Sequence, residues 1–91
     1  MSNKVRIFVT GYCPYCDAAK RYLDAKGVPW ESIDVSSDAE MRRELLEKTG
    51  MRTVPQIFVG DTSVGGFTDM RSLDLRGELI PLLDANDIAH G

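Results

Sequence analysis

Val5-Arg6-Ile7-Phe8-Val9-Thr10-Gly11-Tyr12-Cys13-Pro14-Tyr15-Cys16 is the stretch that decides the fold. A largely apolar run, Val5 to Val9, leads into Cys13-Pro14-Tyr15-Cys16, and a helical pattern opens on the motif itself. Both cysteines of the chain lie here. A C-x-x-C between a strand and a helix, in a small βα-type protein, reads as a redox motif. Pro14 suits the first helical position, where its missing N–H has no acceptor anyway. Cys13 is then the N-cap, and Cys16 follows one turn later on the same side. The Cys13 sulfur faces the free N–H groups of Tyr15 and Cys16 at the positive end of the helix dipole. A thiolate is stabilised there, and the thiolate is the nucleophile.

Three duller readings compete. Two cysteines are half of a zinc site, but tetrahedral zinc takes about four ligands, and the only histidine is His90, far along the chain. A structural disulfide across so short a loop constrains the unfolded chain little. Incidental buried thiols explain neither the spacing nor Pro14 between a strand and a helix.

Outward from the motif, 91 residues make one domain, taken as residues 1–91. Hydrophobic content of 43% and charged content of 27% are those of an ordinary globular chain. The net charge of −3, with no dominant basic patch, argues against nucleic acid as a partner. The apolar runs are far too short to span a bilayer. Met1-Ser2-Asn3-Lys4 lacks the apolar region of a signal peptide. A reducing, cytoplasmic location is the expectation, and two cysteines there suggest catalysis more than stapling.

Residues 4–9 read as a strand covered on both faces, and 14–26 as a helix with Ala19, Tyr22 and Leu23 on one side and Gly27 beyond its end. Trp30 to Val35 is a second strand, with Trp30 a core or rim anchor. Ser37-Asp38-Ala39-Glu40 has capping-box spacing, with Ser37 as N-cap and Glu40 at the third position. The helix it opens carries Met41, Leu45 and Leu46 inward and ends before Gly50. Val54 to Val59 is a third strand, entered through Pro55, and Gly60-Asp61 turns the chain into an edge strand, 62–65. Gly65-Gly66 is a close-approach loop. Thr68 caps a helix of 69–76 that Gly77 stops. Leu79, Ile80, Leu82 and Leu83 make a last helix with Pro81 in its first turn, and 86–91 read as a frayed tail. The order βαβα then ββα, plus a short helix, predicts an α/β fold. A central four-stranded mixed β-sheet is flanked by helices on both faces.

With these segments in place the chain resembles the glutaredoxins of the dithiol type, on the thioredoxin-like fold. The likeness runs from Val5 to about Leu83. Three motifs in order carry it: Cys13-Pro14-Tyr15-Cys16, Thr53-Val54-Pro55-Gln56-Ile57-Phe58, and Gly65-Gly66-Phe67-Thr68-Asp69. The resemblance implies a cis bond between Val54 and Pro55. It also implies that the exposed Val54 backbone, flanked by Thr53 and Pro55, pairs with an extended peptide beside Cys13. That peptide is glutathione, a cysteinyl tripeptide with two carboxylates and one amine. By the same resemblance Gly66, Phe67 and the Thr68 N–H hold the γ-glutamyl carboxylate, as helix starts hold anions. Asp69 faces the ammonium, Arg42 and Arg52 are cations near the glycyl carboxylate, and Tyr15 borders the site. The residues alone leave Thr68 equally an N-cap, Asp69 a dipole partner, and Arg42 and Arg52 solvated charges. One position departs from the pattern. Many dithiol glutaredoxins carry a lysine three residues before the first cysteine, where this chain has Thr10.

The implied activity is glutathione-dependent thiol–disulfide exchange. Cys13 attacks a disulfide or a glutathionylated thiol, and Cys16 resolves mixed disulfides with proteins. Expected partners are glutathione and disulfide-containing or glutathionylated proteins, with no metal, membrane or nucleic acid, and the chain acting as a monomer. Two rivals stay open: a thioredoxin-like donor served by a flavoprotein reductase, and a carrier of a [2Fe–2S] cluster between two monomers.

Overall fold

The computed structural model describes residues 4–11, 13–51 and 54–90. The elements run β1 (Val5–Val9), α1 (Pro14–Ala25), β2 (Trp30–Asp34), α2 (Ala39–Thr49), β3 (Gln56–Val59), β4 (Thr62–Gly65), α3 (Phe67–Leu75) and α4 (Leu79–Ala85). The strands form one four-stranded sheet in the order β2-β1-β3-β4. β1 runs parallel to β2, with Val5 opposite Trp30, and antiparallel to β3, with Ile7 opposite Ile57. β4 is antiparallel to β3. The expected mixed sheet and its α/β architecture are therefore present.

Strand alternation sorts the core into two layers. Val5, Ile7 and Val9 of β1, with Ile57 and Val59 of β3, join Cys16, Ala19 and Leu23 of α1, Met70 of α3, and Leu79 and Leu83 of α4. Phe8 and Phe58 point the other way, onto Val35 and Leu45 beneath α2, their rings edge to face at 5.5 Å. The two inner strands are thus covered on both faces, which is why they read as nearly continuous apolar runs. β2 and β4 lie at the edges, and Glu31, Ser32, Asp34, Thr62 and Ser63 are exposed there. Polar edges discourage pairing with another chain. Among the described residues no helix is long and apolar enough to cross a membrane.

Three local expectations need correction. The N-cap of α2 is Asp38, not Ser37: its carboxylate accepts the Met41 N–H at 2.9 Å. A carboxylate at a helix start adds charge–dipole attraction to the hydrogen bond a serine also offers. The third helix begins at Phe67, with Gly66 as its cap, so Thr68 lies inside the first turn. The tail is not frayed through 86–90. Ile88 is buried in the larger core layer, its N–H donates to Leu83 O at 3.0 Å, and His90 Nε2 meets Asp84 Oδ1 at 2.8 Å. A single apolar residue has no periodicity, so this anchor was invisible to pattern reading. Trp30 is a rim residue, with its indole N–H donating to Asp24 at 2.7 Å.

Candidate active site

Sheet topology brings three loops together. Because β3 runs antiparallel to β1, the end of β1 lies beside the start of β3. Because β4 runs antiparallel to β3, Gly65 at the end of β4 is paired with Ile57 at that same start. The segment leading to Cys13, the Val54–Pro55 segment and the Gly65–Asp69 segment therefore share one end of the sheet.

Cys13 is the N-cap of α1 in extended conformation, and Pro14 opens the helix. The Cys16 N–H donates to the Cys13 sulfur at 3.3 Å. Both cysteines are free thiols, Cys13 half-buried and Cys16 2% exposed. Burial, then the hydrogen bond and the charge at Cys13, push the Cys16 thiol from 9.0 up to about 12. The arrangement is asymmetric: one accessible sulfur that accepts an N–H, and one protonated sulfur held in reserve beneath it. Tyr15, between them, is 63% exposed.

The Val54–Pro55 bond is cis. Pro55 is buried and Val54 half-buried. Across from them Gly65 has φ +103, and a Cβ there would lie 2.6 Å from Asp69 Oδ2, so glycine is required on both counts. The same Asp69 oxygen accepts the Gly66 N–H at 2.9 Å. Asp69 therefore closes the start of α3 on itself, the role open to any first-turn acid. Thr68 and Asp69 are exposed, and Phe67 is half-buried. As at any helix start, the N–H groups of Phe67 and Thr68 have no acceptor within α3.

A cleft of about 390 Å³ opens beside Val54. Thr10, Arg42, Arg43, Leu46, Met51 and Gln56 contribute to its walls. It brings Thr10 and Arg42 together and adds Arg43. Arg42 is exposed and donates from Nη1 to Ser36 O at 3.0 Å. Arg52 and Thr53 lie outside the described residues.

The support beneath this cleft was not foreseen. Gln56, 4% exposed, donates from Nε2 to Met51 O at 2.9 Å. The Thr49 hydroxyl lies 3.0 Å from Gln56 Oε1 and 2.7 Å from Leu45 O, and it accepts the Met51 N–H at 3.1 Å. The turn after α2 is thereby tied to β3. The one available signal was a glutamine inside an otherwise apolar strand, since a buried amide needs partners. Among the described residues no group of three or more histidine, cysteine or acidic side chains is placed to hold a metal ion.

Comparison with known proteins places these features in context. The family model described as Glutaredoxin matches residues 5–64. The chain is 46% identical over 81 residues to a glutaredoxin of Pseudomonas aeruginosa, covering 89% of this chain and 96% of that one. It is 42% identical over 83 residues to glutaredoxin 3 of Escherichia coli, covering 91% and 99%. Its structure resembles a buckwheat glutaredoxin–glutathione complex with a TM-score of 0.82 at 29% identity, over 90% of this chain and 77% of that one.

Proposed function

The chain belongs to the glutaredoxin family, and from that premise we propose how its residues divide the work of the reaction. The protein is a glutathione-dependent thiol–disulfide oxidoreductase. In the proposed sequence the Cys13 thiolate attacks the glutathione sulfur of a mixed disulfide. The substrate's thiolate leaves and takes up a proton. A glutathione thiolate then attacks the glutathione sulfur bound to Cys13, which releases glutathione disulfide and restores Cys13 as a thiolate. With a protein disulfide, Cys13 first becomes linked to the protein. Cys16 then attacks Cys13 and gives up its proton as the protein thiolate departs. Two glutathiones reduce the resulting Cys13–Cys16 disulfide. The observation that carries this division is the single N–H of Cys16 on an accessible Cys13 sulfur, above a buried Cys16.

Glutathione lies along Val54, with Thr53 and Pro55 on either side, its cysteine backbone paired with the Val54 main chain. Its γ-glutamyl carboxylate is held at the start of α3 by the N–H groups beside Gly66, at Phe67 and Thr68, and its ammonium by Asp69. Its glycyl carboxylate enters the cleft toward Arg42, and Tyr15 borders the incoming disulfide; that Arg52 is a second cation for this carboxylate is proposed from the family resemblance alone. The protein works as a single-domain monomer in the cytoplasm, on disulfide-containing and glutathionylated proteins. The test is turnover of a glutathionylated peptide with NADPH, glutathione and glutathione reductase, set against thioredoxin reductase without glutathione. Turnover only in the first mixture is expected. Equal turnover with thioredoxin reductase alone would overturn the glutathione site.

A further inference from the structure

Tyr22 of α1 touches α3 near both of its ends. Its ring meets that of Phe67, the first residue of α3, edge to face with centroids 5.9 Å apart. Its hydroxyl donates to the carboxylate of Asp74, one residue before the helix ends. Lys26, at the C-cap of α1, brings its ammonium to the same carboxylate at 2.9 Å and lies 5.7 Å from the Tyr22 ring. Burial alone would raise the Asp74 carboxyl, but the bonds from Tyr22 and Lys26 and the Lys26 charge outweigh it and hold the group below its ordinary value. Burial first, and then the bond to Asp74, push the Tyr22 phenol up to about 12. The phenol therefore remains a donor and the carboxylate an anion near neutral pH, the stronger, charge-assisted kind of hydrogen bond.

The rest of the packing between the two helices is non-directional. Ala19, Leu23 and Met70 belong to one aliphatic layer, and such layers tolerate small slides. A directional bond at one end and an edge-to-face ring at the other remove that freedom. Neither Tyr22 nor Asp74 takes part in the thiol chemistry above. We infer that Tyr22 and Asp74 form a positioning pair for thiol transfer, setting the start of α3, where the γ-glutamyl end of glutathione docks, in register with Cys13. The inference rests on the docking proposed above.

Tyr22→Phe keeps the ring and removes the donor; Asp74→Asn keeps the shape and removes the charge. Both are assayed with a glutathionylated peptide, beside thermal unfolding and the rate at which iodoacetamide alkylates Cys13. Each variant should raise KM about threefold and leave kcat within roughly 1.5-fold. The double variant should be no worse than either single one, because the two groups act as a unit. The alkylation rate should match the parent's. An unchanged KM in both variants, whatever happens to the melting temperature, overturns the pair as a positioning device. So does a fall in kcat with altered alkylation, which would mean the nucleophile itself is disturbed. Asp69→Ala run in parallel separates the two ideas. If it raises KM while Tyr22→Phe does not, only the positioning pair is lost. If it leaves KM unchanged, the docking is wrong and the inference falls with it.

Discussion

The Cys16 N–H points at the Cys13 sulfur from 3.3 Å, while the Cys16 sulfur itself is buried. One residue thus serves the nucleophile twice, through its backbone at once and through its side chain later. Serine at Cys16 keeps the first service and removes the second. Cys13→Ser should abolish transfer from every substrate, because the nucleophile is gone. Cys16→Ser should retain most deglutathionylation and lose protein-disulfide reduction by roughly tenfold or more. Both variants are assayed on a glutathionylated peptide and on a protein disulfide. Equal losses in the two would reverse the assignment.

Alkali should weaken the fold through Cys16. Its folded pKa, about 12, lies above the ordinary value of 9.0, so the unfolded chain releases this proton first. The stability is fully present below pH 9 and is lost as pH rises from 9 toward 12. One proton contributes a slope of at most ~1.4 kcal/mol per pH unit. Tyr22, raised from 10.0 to about 12, adds to the upper part of the same window. Urea unfolding between pH 8 and 11 should show a steep decline that Cys16→Ala flattens above pH 9. A parallel decline in that variant would remove Cys16 as the cause.

The cleft beside Val54 gives a charge prediction. Thr10 and Arg42 both line it. Thr10→Lys should lower KM for a glutathionylated peptide by up to about fivefold, since a partly exposed charge contributes at most ~1 kcal/mol. Arg42→Ala should raise it by a similar factor. Both effects should shrink at high salt. Glutathione kinetics indifferent to both changes would place the glycyl carboxylate elsewhere.

Gln56 should matter more than its distance from the sulfurs suggests. Gln56→Leu removes the amide donor from Met51 O and the amide oxygen from the Thr49 hydroxyl, both in a half-buried turn. A stranded buried polar group costs about 1–3 kcal/mol. Thr49→Val, which strips the other side of the network, should cost a similar amount, and the double variant less than the sum. Chemical denaturation of the four proteins measures the coupling. Strict additivity would mean the two side chains act independently.

The dithiol, the mixed four-stranded sheet and the glycine pair were legible because each rests on local rules. Pro14 after Cys13 sets a helix start, apolar runs mark inner strands, and Gly65 at φ +103 with Asp69 against it admits no side chain. The misread positions turned on choices between neighbours. Ser37 and Asp38 both cap well, and reach in three dimensions decides between them. Thr68 has the right chemistry for a cap, but Asp69 closes on Gly66 one turn earlier. Ile88, Gln56 with Thr49, and Tyr22 with Asp74 depend on partners the fold supplies. Tyr22 and Asp74 stand 52 residues apart, and no local pattern links them.

The layer that covers Cys16 draws on Met70, Leu79, Leu83 and Ile88, all from the last third of the chain. Synthesis on the ribosome is vectorial, so the motif emerges long before its cover. Until those residues leave the exit tunnel, Cys16 is an ordinary thiol, open to oxidants and to other nascent chains. The reserve sulfur becomes private only when the chain through Ile88 has emerged. Early in its life the protein therefore depends on the reducing power of its surroundings, the same power it later delivers.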